Sequence, residues 1–354
     1  MNRDVVISFH CLLNFGRLMD LSDPDHKKEN AFTIVARILS PRYADTFLGP
    51  PKWHVETETA NEDSNVPFAF ASKCRCCVLM KTYNRNQLPQ GWETRPFIEK
   101  GYRVNIGIRG SFRSIFAYHN ETWNIWTDII PTIVVLALFV NHFLTMTSCS
   151  FARSILEAGV FAGIFISRLF SGLFHILNST SLWANNNLLN VDLLGICSMA
   201  FVSPYFFVFW LKVDPEEAFD DTRFKLYCGV LYCMFGVCCV VFISNLTWGA
   251  TRLRQNLEQV ILVALAVIGN FVSVLITFDA SIAWEIRVMC TAGYTSFLVG
   301  YVMFFIGNLP EALMENGVSD CKWWNSHVIW HVLATIGQFN YLMILVIYSP
   351  LSHN

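Results

Sequence analysis

The sequence predicts an all-α polytopic membrane protein, a bundle of seven spanning helices behind a polar amino-terminal tail, and three observations predict it. First, the 354-residue chain is 54% hydrophobic and only 15% charged, with a mean hydropathy of +0.41, a balance far from that of a soluble globular domain. Second, up to about Glu121 the chain is mixed and polar. It carries prolines at Pro24, Pro41, Pro50, Pro51, Pro67, Pro89 and Pro96 and no apolar run long enough to span. Third, from Asn124 onward apolar stretches alternate with short polar turns. Each stretch is about 20 residues, the length a helix needs to cross roughly 30 Å of hydrocarbon.

Residues 1–120 therefore read as a cytoplasmic tail and 121–350 as the membrane domain. The segment Met1 to Phe15 has one early arginine and a short apolar stretch interrupted by Ser8, His10 and Asn14, which makes a poor secretory signal. Cys74, Cys76 and Cys77, beside Lys73 and Arg75, are candidates for acylation or metal binding, although no second cysteine or histidine pair completes a zinc motif. Spans are expected at 124–146, 155–177, 189–211, 224–244, 257–278, 288–307 and 327–348. The linkers between them are polar because loop backbone in lipid loses water without gaining partners. The plainest is the acidic turn of Asp214, Glu216, Glu217, Asp220 and Asp221. Trp123, Trp126, Trp210, Trp248, Trp323 and Trp324 fall near helix ends, where an amphipathic ring suits the headgroup layer. Of the 12 cysteines, Cys228, Cys233, Cys238 and Cys239 lie in an apolar run and read as small hydrophobes rather than a disulfide framework.

A formal net charge of -2 offers no global basic surface, so no nucleic-acid partner is expected and the lipid bilayer is the first partner. Near the span ends, Arg103, Arg109, Arg113, Arg252, Arg254 and Lys322 fall on the amino-terminal side, which leans towards a cytoplasmic amino terminus. The sequons at Asn120, Asn178 and Asn245 share that side, so with that orientation none is glycosylated. No inverted repeat or pair of interrupted spans is visible, which disfavours transport.

Ionisable groups inside spanning helices are costly to place in hydrocarbon and are functional candidates by default. Four matter: His175 at the end of the second span, Asp192 opening the third, and His327 and His331 opening the seventh. The second span runs towards the amino-terminal side while the third and seventh leave from it, so helix direction places all four at one membrane face. His327 and His331 are spaced i, i+4 and share a helix face, as do Ser171 and His175. Three neutral imidazoles with one open position make the ligand set of a catalytic rather than a closed structural zinc. Asp192 is then expected to orient a ligand or act as base, and Ser171 to hydrogen-bond nearby or take a catalytic part. Arg168, two turns from His175, is expected to snorkel or pair. His119 and His142 lie outside this group and receive no role.

These residues resemble the progestin and adipoQ receptor family, which includes the adiponectin receptors. The matching segments are Ser111-Phe-Arg-Ser-Ile-Phe, His119-Asn-Glu-Thr-Trp-Asn-Ile-Trp-Thr127, Ser171-x-x-x-His175, Asp192, Asn308-Leu-Pro-Glu311 and Ser326-His327-x-Ile-Trp-His331, in order over roughly residues 85–350. The resemblance implies a seven-helix bundle with a cytoplasmic amino terminus and an outward carboxyl terminus. It also implies a zinc ion held by His175, His327 and His331 near the cytoplasmic side, with Asp192 and Ser171 in supporting roles. Within the family the chain looks closest to the branch named Raf kinase trapping to Golgi. It departs from the usual pattern at Asp128, where the family usually has histidine, a change expected to leave the zinc ligands untouched, and in the charge-poor stretch Trp183-Ala-Asn-Asn-Asn-Leu.

Two functions follow from the resemblance. One is a signalling receptor for a hormone or lipid, at the plasma membrane or Golgi, whose zinc site acts in lipid metabolism by hydrolysing an amide of the ceramide type. The other is a Golgi scaffold that sequesters a cytosolic signalling kinase, with the zinc purely structural.

Overall fold

The computed structural model describes residues 81–92, 94–95, 97–145, 150–248, 252–313 and 325–348. The cysteine group at 74–77, the tail before it, Lys322, Trp323 and Trp324 lie outside the described residues.

Among the described residues, seven helices are long and apolar enough to cross a membrane: Thr122–Thr145, Phe151–Leu177, Leu182–Leu211, Thr222–Asn245, Val260–Phe278, Trp284–Gly307 and Ser326–Ile347. Each coincides with an expected span. The largest difference is at the start of the third, which begins at Leu182 rather than near residue 189. The polar run Trp183-Ala-Asn-Asn-Asn is helical because Ser181 Oγ caps it, accepting from the Ala184 N–H at 3.2 Å.

The second and third spans form the interior, with 61% and 67% of their apolar windows buried, whereas the first and sixth bury only 17% and present the rest outward. Ile130, Ile133, Leu136, Val140 and Leu144 of the first span are exposed in this way, as lipid-facing positions should be. Close approach of the second span to the third depends on Gly163, where an added Cβ would meet Ser198 O at 2.8 Å.

That contact also marks the point where the third span breaks. It runs as helix over Leu182–Asn187 and Leu189–Cys197, tightens to a 3-10 turn over Ser198–Phe201, and resumes at Ser203–Leu211. Ser198 Oγ donates to Gly163 O (2.8 Å) and Gly195 O (2.6 Å), and Pro204, having no N–H, cannot continue the helical ladder. The sixth span likewise ends in a π-helical turn, Val302–Gly307, closed by Asn308 in the left-handed region at φ 46°. Two spans are thus irregular where continuous helices were expected.

Candidate metal centre

The seventh span begins under two caps. Asn325 Oδ1 accepts from the Val328 N–H at 3.0 Å, and the Glu311 carboxylate accepts from the Ser326 N–H (2.7 Å) and the Ser326 hydroxyl. Burial raises the Glu311 carboxyl above its ordinary range, against the lowering pull of the Ser326 hydrogen bonds and of Arg95. This cap fixes the first turns of the helix, and with them His327 and His331.

The second span delivers His175 to the same point. Its last turn is held by Arg103, buried at 2% exposure, which donates to His175 O (2.7 Å), Asn178 Oδ1 (3.2 Å) and Ser114 Oγ. The structure brings the three predicted histidines together, each buried: His327 Nε2 lies 3.1 Å from His175 Nε2 and 3.2 Å from His331 Nε2.

Their other ring nitrogens decide what this contact means. His175 Nδ1 lies 2.8 Å from Glu121 Oε2, and His331 Nδ1 lies 3.1 Å from Asp128 Oδ1. Ionised carboxylates only accept, so each Nδ1 carries the hydrogen and each Nε2 turns a bare lone pair inward. His327 Nε2 is also an acceptor, because the group it meets at 2.9 Å is Arg95 Nη2, and arginine only donates. Three acceptors all within 4.8 Å of one another repel unless a cation lies among them, and a metal ion bound to His327 would take the one lone pair that Arg95 meets here. Four-coordinate zinc with Zn–N of about 2.0–2.1 Å separates its ligand nitrogens by roughly 3.3 Å, close to the two separations from His327 Nε2. The residues therefore fit a zinc ion, with His175, His327 and His331 as ligands and Glu121 and Asp128 as the carboxylates behind two of them.

Both carboxylates are themselves held. Arg168 Nη1 donates to Asp128 Oδ1 at 3.1 Å and reaches His331 O at 3.4 Å, while Arg168 Nε donates to Gln338 Oε1. Arg168 pairs, as the sequence suggested. Asp128 is in direct contact with His331. Asn124 Nδ2 donates to Glu121 Oε2 at 2.6 Å. Burial works to raise the Glu121 carboxyl, but the charge and hydrogen bond of His175, with Arg95 and Asn124, hold it well below the usual carboxylate range.

Arg95 lies against His327. Its guanidinium lies over the Phe304 ring, 5.2 Å from the centroid, and helps line a cavity of about 10 Å³ with Glu121, Glu311, Asn325 and His327. That is of the order needed for one water.

Ser171 and Asp192 are buried at 7% exposure on the second and third spans, and neither hydrogen-bonds to any of the three histidines. Asp192 lies within electrostatic reach of Arg168. His119 is structural. Its Nδ1 accepts from the Glu121 N–H at 3.1 Å and its Nε2 donates to Ser114 O at 3.0 Å, and burial, then the charge of Arg103, push it down to about 3, so it stays neutral.

Glu121, Asp128 and Arg95 are the residues that sequence reasoning missed. Glu121 and Asp128 stand seven residues apart at the start of the first span, two helical turns on one face, which was a usable signal. Nothing comparable marks Arg95.

Residues 116–342 match the family described as haemolysin-III related. The chain belongs to this family. The match agrees with the resemblance to the progestin and adipoQ receptors. The chain is 23% identical over 279 residues to ADIPOR-like receptor IZH2 of Saccharomyces cerevisiae, covering 75% of this chain and 83% of that protein. It is 23% identical over 275 residues to Heptahelical transmembrane protein 1 of Arabidopsis thaliana, covering 72% of this chain and 77% of that one. To Adiponectin receptor protein of Drosophila melanogaster it is 28% identical over 144 residues, 38% of this chain and 32% of that protein. The chain is thus a multi-pass, adiponectin-receptor-like membrane protein of this family, with a buried three-histidine group near one end of its bundle.

Proposed function

We propose that this protein is a receptor-type membrane hydrolase, with a cytoplasmic amino terminus, that binds one zinc ion at His175, His327 and His331 near the cytoplasmic face and acts on a lipid amide of the ceramide type. The supporting observation is the convergence of three Nε2 atoms, two of them on imidazoles backed by carboxylates. Zinc, when bound, supplies Lewis-acid polarisation of a carbonyl and makes water acidic enough to serve as nucleophile near neutral pH. Glu121 and Asp128 keep the imidazoles in the ligating tautomer and stop them rotating. Asp192 accepts or relays a proton, and Ser171 supports the substrate carbonyl. The plasma membrane or Golgi houses the protein.

Zinc content and ceramide turnover of purified protein test this reading together. Wild type is expected to carry stoichiometric zinc and release fatty acid, with both lost in His327→Ala. Asp192→Asn is expected to keep its zinc and lose turnover. Metal-free, stable wild type rules out the site, and zinc-replete protein inert towards every lipid amide rules out the enzyme.

A second reading draws support from the small cavity and from Arg95, which ties the segment preceding the bundle to His327. The chain is then a scaffold that holds a cytosolic signalling kinase through its amino-terminal tail, with structural zinc. Deleting residues 1–80 from the full chain is expected to release the kinase while the zinc stays. Unchanged kinase capture refutes the scaffold.

A further inference from the structure

The helix Gly107–Ser114, just before the first span, is amphipathic in the wrong sense for water. Its small polar side packs inward. Ser111 and Ser114, i and i+3, are 0% and 1% exposed. Ser111 Oγ meets Ser179 Oγ at 3.4 Å, and Ser114 Oγ takes the Arg103 hydrogen bond while donating to Ser111 O at 2.6 Å. Its large residues point out instead. Ile108 and Phe112, i and i+4, are exposed at 67% and 46%, and Phe116, in the turn two residues past the helix, extends that outward surface at 68% exposure. Arg109 and Arg113, again i and i+4, are exposed along the adjoining stripe and have no acidic partner among the described residues. A helix destined for water buries its apolar stripe against the core, whereas this one turns it away.

What covers that stripe follows from where the helix sits. Trp126 Nε1 donates to Ile115 O at 3.1 Å, and the Phe116 ring meets the Trp126 ring edge-on at 5.9 Å. Both contacts tie the end of the helix to the opening turns of the first span. Tyr118 and Trp123, at 61% and 41% exposure, continue the outward aromatic surface to the start of that span. The stripe is therefore continuous with the lipid-facing surface at the level where the first span leaves the hydrocarbon, the depth suited to aromatic rings with arginines beside them.

We infer that Gly107–Ser114 is an interfacial docking surface for acidic phospholipid headgroups. Ile108, Phe112 and Phe116 enter the acyl boundary, and the positive charges of Arg109 and Arg113 lie among the anionic phosphate and carboxylate oxygens and attract them. The inference is independent of the zinc site.

The test uses the full chain in nanodiscs of phosphatidylcholine alone or mixed with phosphatidylserine, with retained lipid counted by native mass spectrometry. Wild type is expected to retain phosphatidylserine over phosphatidylcholine, and high salt to weaken that preference. Arg109→Gln with Arg113→Gln is expected to lower it about thirtyfold, about fivefold for each arginine, which is ~1 kcal/mol per surface arginine. Arg109→Lys with Arg113→Lys, which keeps the charge, is expected to retain most of it. Retention by both pairs, or loss by both, overturns the inference. So does inorganic phosphate displacing phosphatidylserine at the same ionic strength, because the partner is then a free anion.

Discussion

The two ends of the bundle each hold a histidine against a buried carboxylate, yet among the described residues only one end has a set of three candidate ligands. At the end opposite the three histidines, His142 Nε2 lies 2.9 Å from Glu157 Oε2, and Arg153 Nε donates to Glu157 Oε1 at 2.9 Å. The imidazole there sits among Phe143 and Phe161, with ring centroids 5.3 Å and 5.5 Å away. The carboxylate–histidine pair is thus common to both ends. What differs is the other side of each ring: the Nε2 atoms of His175 and His331 face a third imidazole, whereas His142 faces phenyl rings. A carboxylate makes a histidine a better ligand, but convergence of several lone pairs is what makes a site.

The largest expected effects come from removing single histidines at either end of the bundle. His175→Ala, His327→Ala and His331→Ala are each expected to take zinc from stoichiometric to undetectable by elemental analysis, and His142→Ala to leave it unchanged. Metal lost in His142→Ala, or kept in any of the other three, would remove the distinction. The carboxylates come next. Asp128→Asn and Glu121→Gln are expected to weaken zinc roughly 10- to 100-fold in a competition titration against a chromophoric chelator, the usual cost of losing such a partner. Glu157→Gln is expected to leave zinc affinity unchanged. Equal affinity in all three variants would reduce Glu121 and Asp128 to ordinary packing.

The same contrast explains what was legible in the sequence. Span positions followed from hydropathy because each apolar run has the length the bilayer demands. The break in the third span did not, since it depends on a hydroxyl of Ser198 reaching the backbone of another helix. The early start of that span was hidden because asparagines that read as a linker instead bond to the local backbone, Asn187 Nδ2 to Trp183 O at 2.7 Å and Asn190 Nδ2 to Asn187 O at 3.0 Å. His175, His327 and His331 could be grouped because span direction alone sets which face each reaches. Their partners could not be assigned that way: Asp192 shares the face, but Glu121 and Asp128 make the contacts, and azimuth rather than depth separates them. Arg95 comes from a segment with no periodicity to place it.

Arg95 puts a fixed cation beside the atoms that would hold a divalent one. Arg95→Gln is expected to tighten zinc on the order of tenfold, since like charges a few ångströms apart oppose each other even at high effective dielectric. Weaker zinc in this variant would show instead that Arg95 acts by closing the site. At the other end the expected effect is smallest and lies in stability alone. His142→Ala removes one donor from Glu157 but leaves the Arg153 hydrogen bond, so the buried carboxylate keeps a charged partner. The expected cost is about 1–2 kcal/mol, read as a lower Tm of the purified protein in micelles. A loss of folding in His142→Ala would mean that Glu157 depends on the imidazole more than on Arg153, and that the two ends are alike in needing every member of their polar clusters.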